Sequence, residues 1–213
     1  MSTINAQQTK EMLMHVADRV VAAKEMLCDA DRNIGDGDHG IGMAKGLEAA
    51  RQELEAKEFD DVYTVFSTVG RTMIRVMGGA SGIIFGLLFW GGAKNRTPAA
   101  EIATRDFAEI FEKAMGEIQL KGQASPGDKT ILDGLVPMVE AMNGCAANGA
   151  TIKEMLSAAK AAAEAGKEKS RMFVARHGKA KTLGERSIGF PDAGCVSLTV
   201  IVSAMEEWAQ ANL

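Results

Sequence analysis

The chain has 213 residues, 46% of them hydrophobic, and its 24 Lys and Arg against 28 Asp and Glu leave a net charge of −4. That length and apolar content suit one domain with a substantial core, spanning residues 1–213. The mildly acidic balance excludes a general attraction to nucleic acid or to anionic lipid, so an anionic ligand needs local help.

Apolar residues at Met12, Val16, Val20 and Leu27 follow helical spacing and predict a first helix from about Gln7 to Leu27. A second is expected from Met43 to about Ala56, and a third through Val62, Phe66, Val69 and Met73, capped by Asp60 or Asp61. Gly78 to Gly82 opens a fourth, the apolar run Gly82 to Ala93, which has no polar face and is expected to be buried on every side. At twelve residues this longest apolar run is too short for the roughly 20 residues that cross a bilayer. Phe107, Ile110, Phe111, Met115 and Ile118 define a fifth helix ending near Gly122. Pro126-Gly127-Asp128 starts a sixth that runs to about Met142, with Pro137 placed to kink it.

Thr151 and Glu154 form a capping box ahead of a seventh, Ala-rich helix reaching roughly Val174. A Gly- and charge-rich connection from His177 to Gly194 leads to the last segment, Cys195 to Gln210. Val196 to Val202 would suit a strand, but the pattern continues to Trp208 and favours a buried helix. Eight helices joined by glycine-rich connections give an all-α fold with its loops gathered around one site. The thirteen methionines read as adaptable core filling. Cys28, Cys145 and Cys195 are too scattered for a zinc or redox motif, and Met1 to Lys10 lacks the basic-then-apolar order of a secretion signal. A cytoplasmic protein with reduced thiols and no membrane span is expected.

The chemistry concentrates in the connections. Asp29, Asp31, Asp36 and Asp38 place four carboxylates within ten residues, and their repulsion is costly unless cations are bound. A regular helix cannot converge them, and Gly35, Gly37 and Gly40 supply the turn that can. Carboxylate oxygens suit Mg2+, which fills its remaining positions with water and phosphate oxygens. Gly35 to Gly40 also satisfies GxGxxG, but it follows a helical pattern and carries carboxylates that repel a bare pyrophosphate, so a dinucleotide fold is rejected. A calcium loop is rejected because Ile34 stands where glycine is needed and Gly40 where a bidentate Glu is needed. Gly122 to Thr130 resembles a P-loop with one residue inserted before Lys129 and no strand ahead of it, and is rejected as one. Gly78 to Gly82 is the better phosphate cradle, with small residues exposing N–H groups at a helix N-terminus.

Together, Asp31 to Gly40, Gly78 to Gly82, Pro126 to Thr130 and Gly184 to Gly189 strongly resemble the nucleotide-binding L subunit of dihydroxyacetone kinases, nearly end to end. The resemblance implies an antiparallel eight-helix barrel with ADP or ATP at one end, held through two Mg2+ ions. By position, Asp31, Asp36 and Asp38 resemble the metal ligands, while Asp29 matches no family role. His39, Gly40, Ile41 and Gly42, with Ala80 and Ser81, resemble the phosphate side of the pocket. Gly122, Ile131, Asp192, Ala193 and Gly194 resemble its adenosine side, and Lys179 falls where the family places a basic residue near the phosphates. Gly42 stands where some relatives have Asn, and Ala193 replaces a Pro.

The resemblance further implies that a separate K subunit holds the ketose covalently through a histidine, and that this chain contributes no general base. The expected partners are that K subunit, a phosphocarrier M subunit of the sugar phosphotransferase system where ADP is recharged in place, and a second copy in a homodimer. Two other roles remain open: a nucleotide-sensing partner of a transcription regulator, and a kinase subunit for another acceptor such as a tetrulose or a fatty acid.

Overall fold

The computed structural model describes residues 2–213 and is built from helices. In chain order these are α1 (Ala6–Ala22), α2 (Lys24–Arg32), α3 (His39–Glu55), α4 (Val62–Met77), α5 (Gly79–Trp90), α6 (Thr104–Gly122), α7 (Leu132–Ala147), α8 (Ile152–Lys169) and α9 (Ala193–Asn212). Local signals set many of the starts. Asn5 and Gln8 bond each other's backbone N–H in a capping box at α1. Asp61 accepts from Thr64 N at 2.9 Å at the start of α4, and Thr151 and Glu154 form the expected box at α8.

Each helix packs on the next around a ring, α1 on α3, then α4, α5, α6, α7, α8 and α9, and α9 returns to α1. The cycle is the order an eight-helix barrel requires, with α2 lying outside it against α3 and α9. One end gathers the starts of α3, α5, α7 and α9 with the ends of α2, α4, α6 and α8. Gly42 lies beside Met77, Gly122 beside Ile84 and Ile131 beside Gly194, while Lys129 bonds Ser170. Alternating starts and ends make sequential neighbours antiparallel.

The opposite end carries a short antiparallel pair that the helical pattern did not foretell, β1 (Thr3–Asn5) with β2 (Glu101–Ala103), in the register Thr3 to Ala103. Ser2 Oγ accepts from Ile152 N at 2.7 Å, tying the start of α8 to the same place. Inside the ring, Phe66, Phe107 and Phe111 meet at centroid distances of 5.6–6.2 Å, and one continuous apolar cluster runs from Ile4 to Ala209. No helix is long and apolar enough to cross a membrane among the described residues.

Three expectations need correction. The first helix is two, broken at Ala23 with φ −83° and ψ 2°. Leu27 follows Val20 by seven residues, a spacing that survives a one-residue break, so periodicity alone conceals it. The sixth helix starts at Leu132 rather than near Pro126. Asp133 is the reason: its carboxylate accepts from Gly127 N and Thr130 N, folding residues 123–131 back as a loop in which Gln123, Gly127 and Lys129 have positive φ. The all-apolar α5 is buried along Phe85 to Phe89, but Ile83, Ile84 and Trp90 are only half-buried and its first turn is exposed. α7 runs through Pro137 as one helix.

Candidate metal and nucleotide site

α2 ends on Arg32, and residues 33–38 turn the chain into α3, so Asp31 sits on a helix end while Asp36 and Asp38 sit in the turn. Asp31 Oδ2 organises that turn, accepting from Gly37 N at 2.9 Å and His39 N at 3.3 Å. A side chain at position 35 would lie 2.2 Å from Asp31 Oδ1, and Gly37 has φ +78°, so both glycines are required for the chain to double back. The result brings one carboxylate oxygen from each of Asp31, Asp36 and Asp38 within 4.8 Å of the others. Asp29 lies outside the cluster, exposed and paired with Arg32.

Three like charges this close repel one another and favour a cation between them. In this structure the ammonium of Lys179 supplies it, bonded to Asp36 and lying 3.4 Å from both oxygens of Asp38. Its hydrogen bond holds Asp36 below the usual carboxylate range, and the same bond raises Lys179. Hard oxygen donors on a partly exposed turn, already bridged by a positive charge, fit a divalent cation such as Mg2+.

Free backbone donors lie beside the carboxylates. Neither N-cap residue, Asp38 of α3 or Gly78 of α5, bonds its helix through a side chain; His39 N is taken by Asp31, but the next first-turn N–H groups of α3 and those of α5 are left available to an anion. The two starts are neighbours: Gly42 in the first turn of α3 lies near Met77, two residues before α5, and the ring of His39 packs on Phe85 in the second turn of α5 at 5.5 Å. Gly78 and Gly79 have φ +66° and +61°, and Ala80 and Ser81 behind them are exposed. On α3, Ile41 is exposed and Gly42 lies near Met77. Gly40 instead lets α2 and α3 approach, since a side chain there would lie 2.2 Å from the carbonyl of Lys24. Burial holds the His39 imidazole below its usual range, against the pull of Asp31 and Asp38.

The remaining residues form a second group. A side chain at Gly194 would meet Ile131 at 3.2 Å, and Asp192 Oδ2 caps α9 by accepting from Cys195 N at 2.8 Å, next to buried Ala193. Burial pushes the Asp192 carboxyl up to about 7, with Asp133 adding to the rise and the cap opposing it. Gly122 closes α6 beside Ile84 of α5. The site is an open end of the ring; a cavity of about 360 Å3 lined by Arg19, Met26, Thr199 and Glu207 lies elsewhere, between α1, α2 and α9.

Four residues that organise the site escaped sequence reasoning. Lys129 is buried and donates to the carbonyls of Ser170 at 2.7 Å and Phe190 at 2.6 Å, closing the base of the loop that carries Lys179. Asp192 N donates to the buried Ser170 Oγ at 2.9 Å, Asp133 shapes the loop before α7, and buried Ser197 meets His39. Lys129 stands in the segment Pro126 to Thr130 that carries the family resemblance, but its partners lie 41 and 61 residues away.

The family model of the DAK2 domain matches residues 33–207. Over 203 residues the chain is 30% identical to the PEP-dependent dihydroxyacetone kinase, ADP-binding subunit DhaL, of Escherichia coli strain K12, covering 95% of this chain and 97% of that one. Over 188 residues it is 35% identical to the PEP-dependent dihydroxyacetone kinase 1, ADP-binding subunit DhaL, of Listeria innocua, covering 88% and 89%. Its fold is similar to the dihydroxyacetone kinase of C. freundii solved in complex with AMP-PNP and Mg2+, with a TM-score of 0.72 and 21% identity over 97% of this chain. This chain spans only about a third of that longer kinase, 35% of its length. The chain belongs to the DAK2 domain family, with the L subunits of dihydroxyacetone kinases.

Proposed function

We propose that this chain, acting as one nucleotide-binding domain, is the phosphotransfer subunit of a kinase for dihydroxyacetone or a related short ketose. It passes the γ-phosphoryl of a metal-bound nucleotide to a ketose held covalently on a separate K subunit. One observation carries the reading: three carboxylates converge beside two helix N-termini that keep free first-turn N–H groups at one end of the ring. Phosphoryl transfer needs charge neutralisation and positioning more than covalent chemistry, and this end offers carboxylates to hold a neutralising cation and N–H groups to position the phosphates.

In this reading Asp31, Asp36 and Asp38 hold two Mg2+ ions, which when bound neutralise phosphate oxygens. The first-turn N–H groups of α3 and α5, with Ser81 and His39, orient those oxygens. Lys179, paired with Asp36 and Asp38, is the cation that serves the phosphates. Ile131, Asp192, Ala193, Gly194 and Gly122 border the adenosine. The chain places no general base, which falls to the partner.

The relatives' description as PEP-dependent, ADP-binding subunits favours one phosphate source, in which bound ADP is recharged in place by a phosphohistidine carrier. The test dialyses the purified chain exhaustively and supplies either ATP or the phosphorylated carrier, with a K-type subunit and dihydroxyacetone present. Retained ADP and turnover with the carrier alone are expected. Turnover with ATP alone would overturn the carrier version, and no turnover with either would overturn the kinase reading.

A further inference from the structure

His39 is the first residue of α3, and its ring is held from two other helices. Phe85 of α5 packs on one side, and Nε2 lies 2.7 Å from Ser197 Oγ of α9. Ser197 is fully buried at 0% exposure. Distance alone leaves the direction of this hydrogen bond open, since either atom could carry the proton. What else the hydroxyl can reach decides it.

A buried serine inside a helix can return its proton to the carbonyl three or four residues back. Thr9 and Thr68 do so in this chain, but Ser197 makes no such bond to Ala193, and His39 is its one hydrogen-bond partner among the described residues. Were the ring the donor, the hydroxyl proton would be buried with no acceptor, the costlier of the two ways to leave the pair incomplete.

We infer that Ser197 donates to Nε2 and fixes His39 as the neutral tautomer with its proton on Nδ1. Nδ1 is then the ring nitrogen left for a ligand, and it is a donor. A neutral donor suits a phosphate oxygen and cannot ligate a metal ion, so the ring is assigned to the phosphate although Asp38 is its chain neighbour. Ser197 is a positioning residue that acts through His39. The ligand's identity rests on the function proposed above; the tautomer is a property of the free chain.

Long-range 1H–15N correlation spectra of the 15N-labelled chain distinguish the two neutral tautomers and the imidazolium. With three histidines in the chain, loss of one pattern in His39→Gln assigns it. The Nδ1–H pattern is expected for His39 in the wild type, and a shift to Nε2–H or to a mixture in Ser197→Ala. An Nε2–H or imidazolium pattern in the wild type, or an unchanged pattern in the variant, would overturn the inference. Should the variant fail to fold, the wild-type spectrum decides alone.

Titration with ADP at saturating Mg2+ is expected to show about tenfold weaker binding by Ser197→Ala, the order of one charge-assisted hydrogen bond. Equal affinity would overturn the positioning role. A wild type that binds no ADP would defeat the function proposed above while leaving the tautomer standing.

Discussion

Asp192 concentrates two opposing effects in one carboxyl. As the cap of α9 it accepts from Cys195 N, which favours the anion, while burial and the neighbouring Asp133 disfavour it. Burial prevails and carries the group up to about 7 from an ordinary value of 3.8. A carboxyl raised on folding binds a proton that the unfolded chain has released, so its contribution is full below about pH 4 and is lost as pH rises through about 7. Asn at this position keeps the cap and cannot titrate. Urea unfolding of both proteins between about pH 4.5 and 8 is expected to show the wild type losing stability relative to Asp192→Asn as pH rises; parallel profiles would contradict this. At this scale the spacing pointed to a cluster among Asp29, Asp31, Asp36 and Asp38, because the glycines between them leave few other ways to relieve the repulsion, and the family resemblance singled out the three that the fold brings together. It was silent on Ser197 and Asp133, whose roles depend on partners that only folding brings near.

Helix pairs here approach through glycine. A side chain at Gly70 in α4 would lie 2.3 Å from the carbonyl of Gly86 in α5. Gly70→Ala is expected to cost about 1–3 kcal/mol by overpacking, read as a lower denaturation midpoint with an unchanged slope; an equal midpoint would refute the contact. Lys129 acts on a loop rather than a helix. Lys129→Met keeps most of the stem but strips the buried carbonyl of Ser170 and the part-buried carbonyl of Phe190 of their donor, at a cost of roughly 2–3 kcal/mol. Hydrogen exchange is expected to quicken across residues 171–190 while α4 is unaffected, and uniform acceleration would argue for general destabilisation instead. The existence of the eight ring helices was legible, because amphipathic stripes and caps such as Thr151 are local signals; the 3-10 segment Lys179–Ser187, in a stretch read as a connection, was not. The break at Ala23 and the late start of α7 were not, since the first preserves the apolar stripe and the second depends on Asp133 folding the chain back onto its own helix.

For the molecule as a whole, the apolar pattern predicted a helical fold, and the packing order closes eight of the nine α-helices among the described residues into a ring. Closure places seven consecutive helices, α3 to α9, alternately start and end at one rim, which is how residues as distant as Asp36 and Lys179 meet. The small sheet at the other end lay beyond helical periodicity, being three residues long on each side. A ligand that binds only the folded ring stabilises it by mass action. At about 100 times its Kd, ADP with Mg2+ is expected to add ~2.7 kcal/mol, or roughly 5–10 °C in Tm for a chain of this size.

Asp31, Asp36 and Asp38 are proposed to hold the metal through which the nucleotide binds. Isothermal calorimetry of ADP binding, with and without Mg2+, to the wild type and to Asp36→Ala tests this directly. The wild type is expected to bind only with Mg2+, and Asp36→Ala to bind at least about tenfold more weakly. Equal affinity in the two proteins, with no dependence on Mg2+, would contradict it.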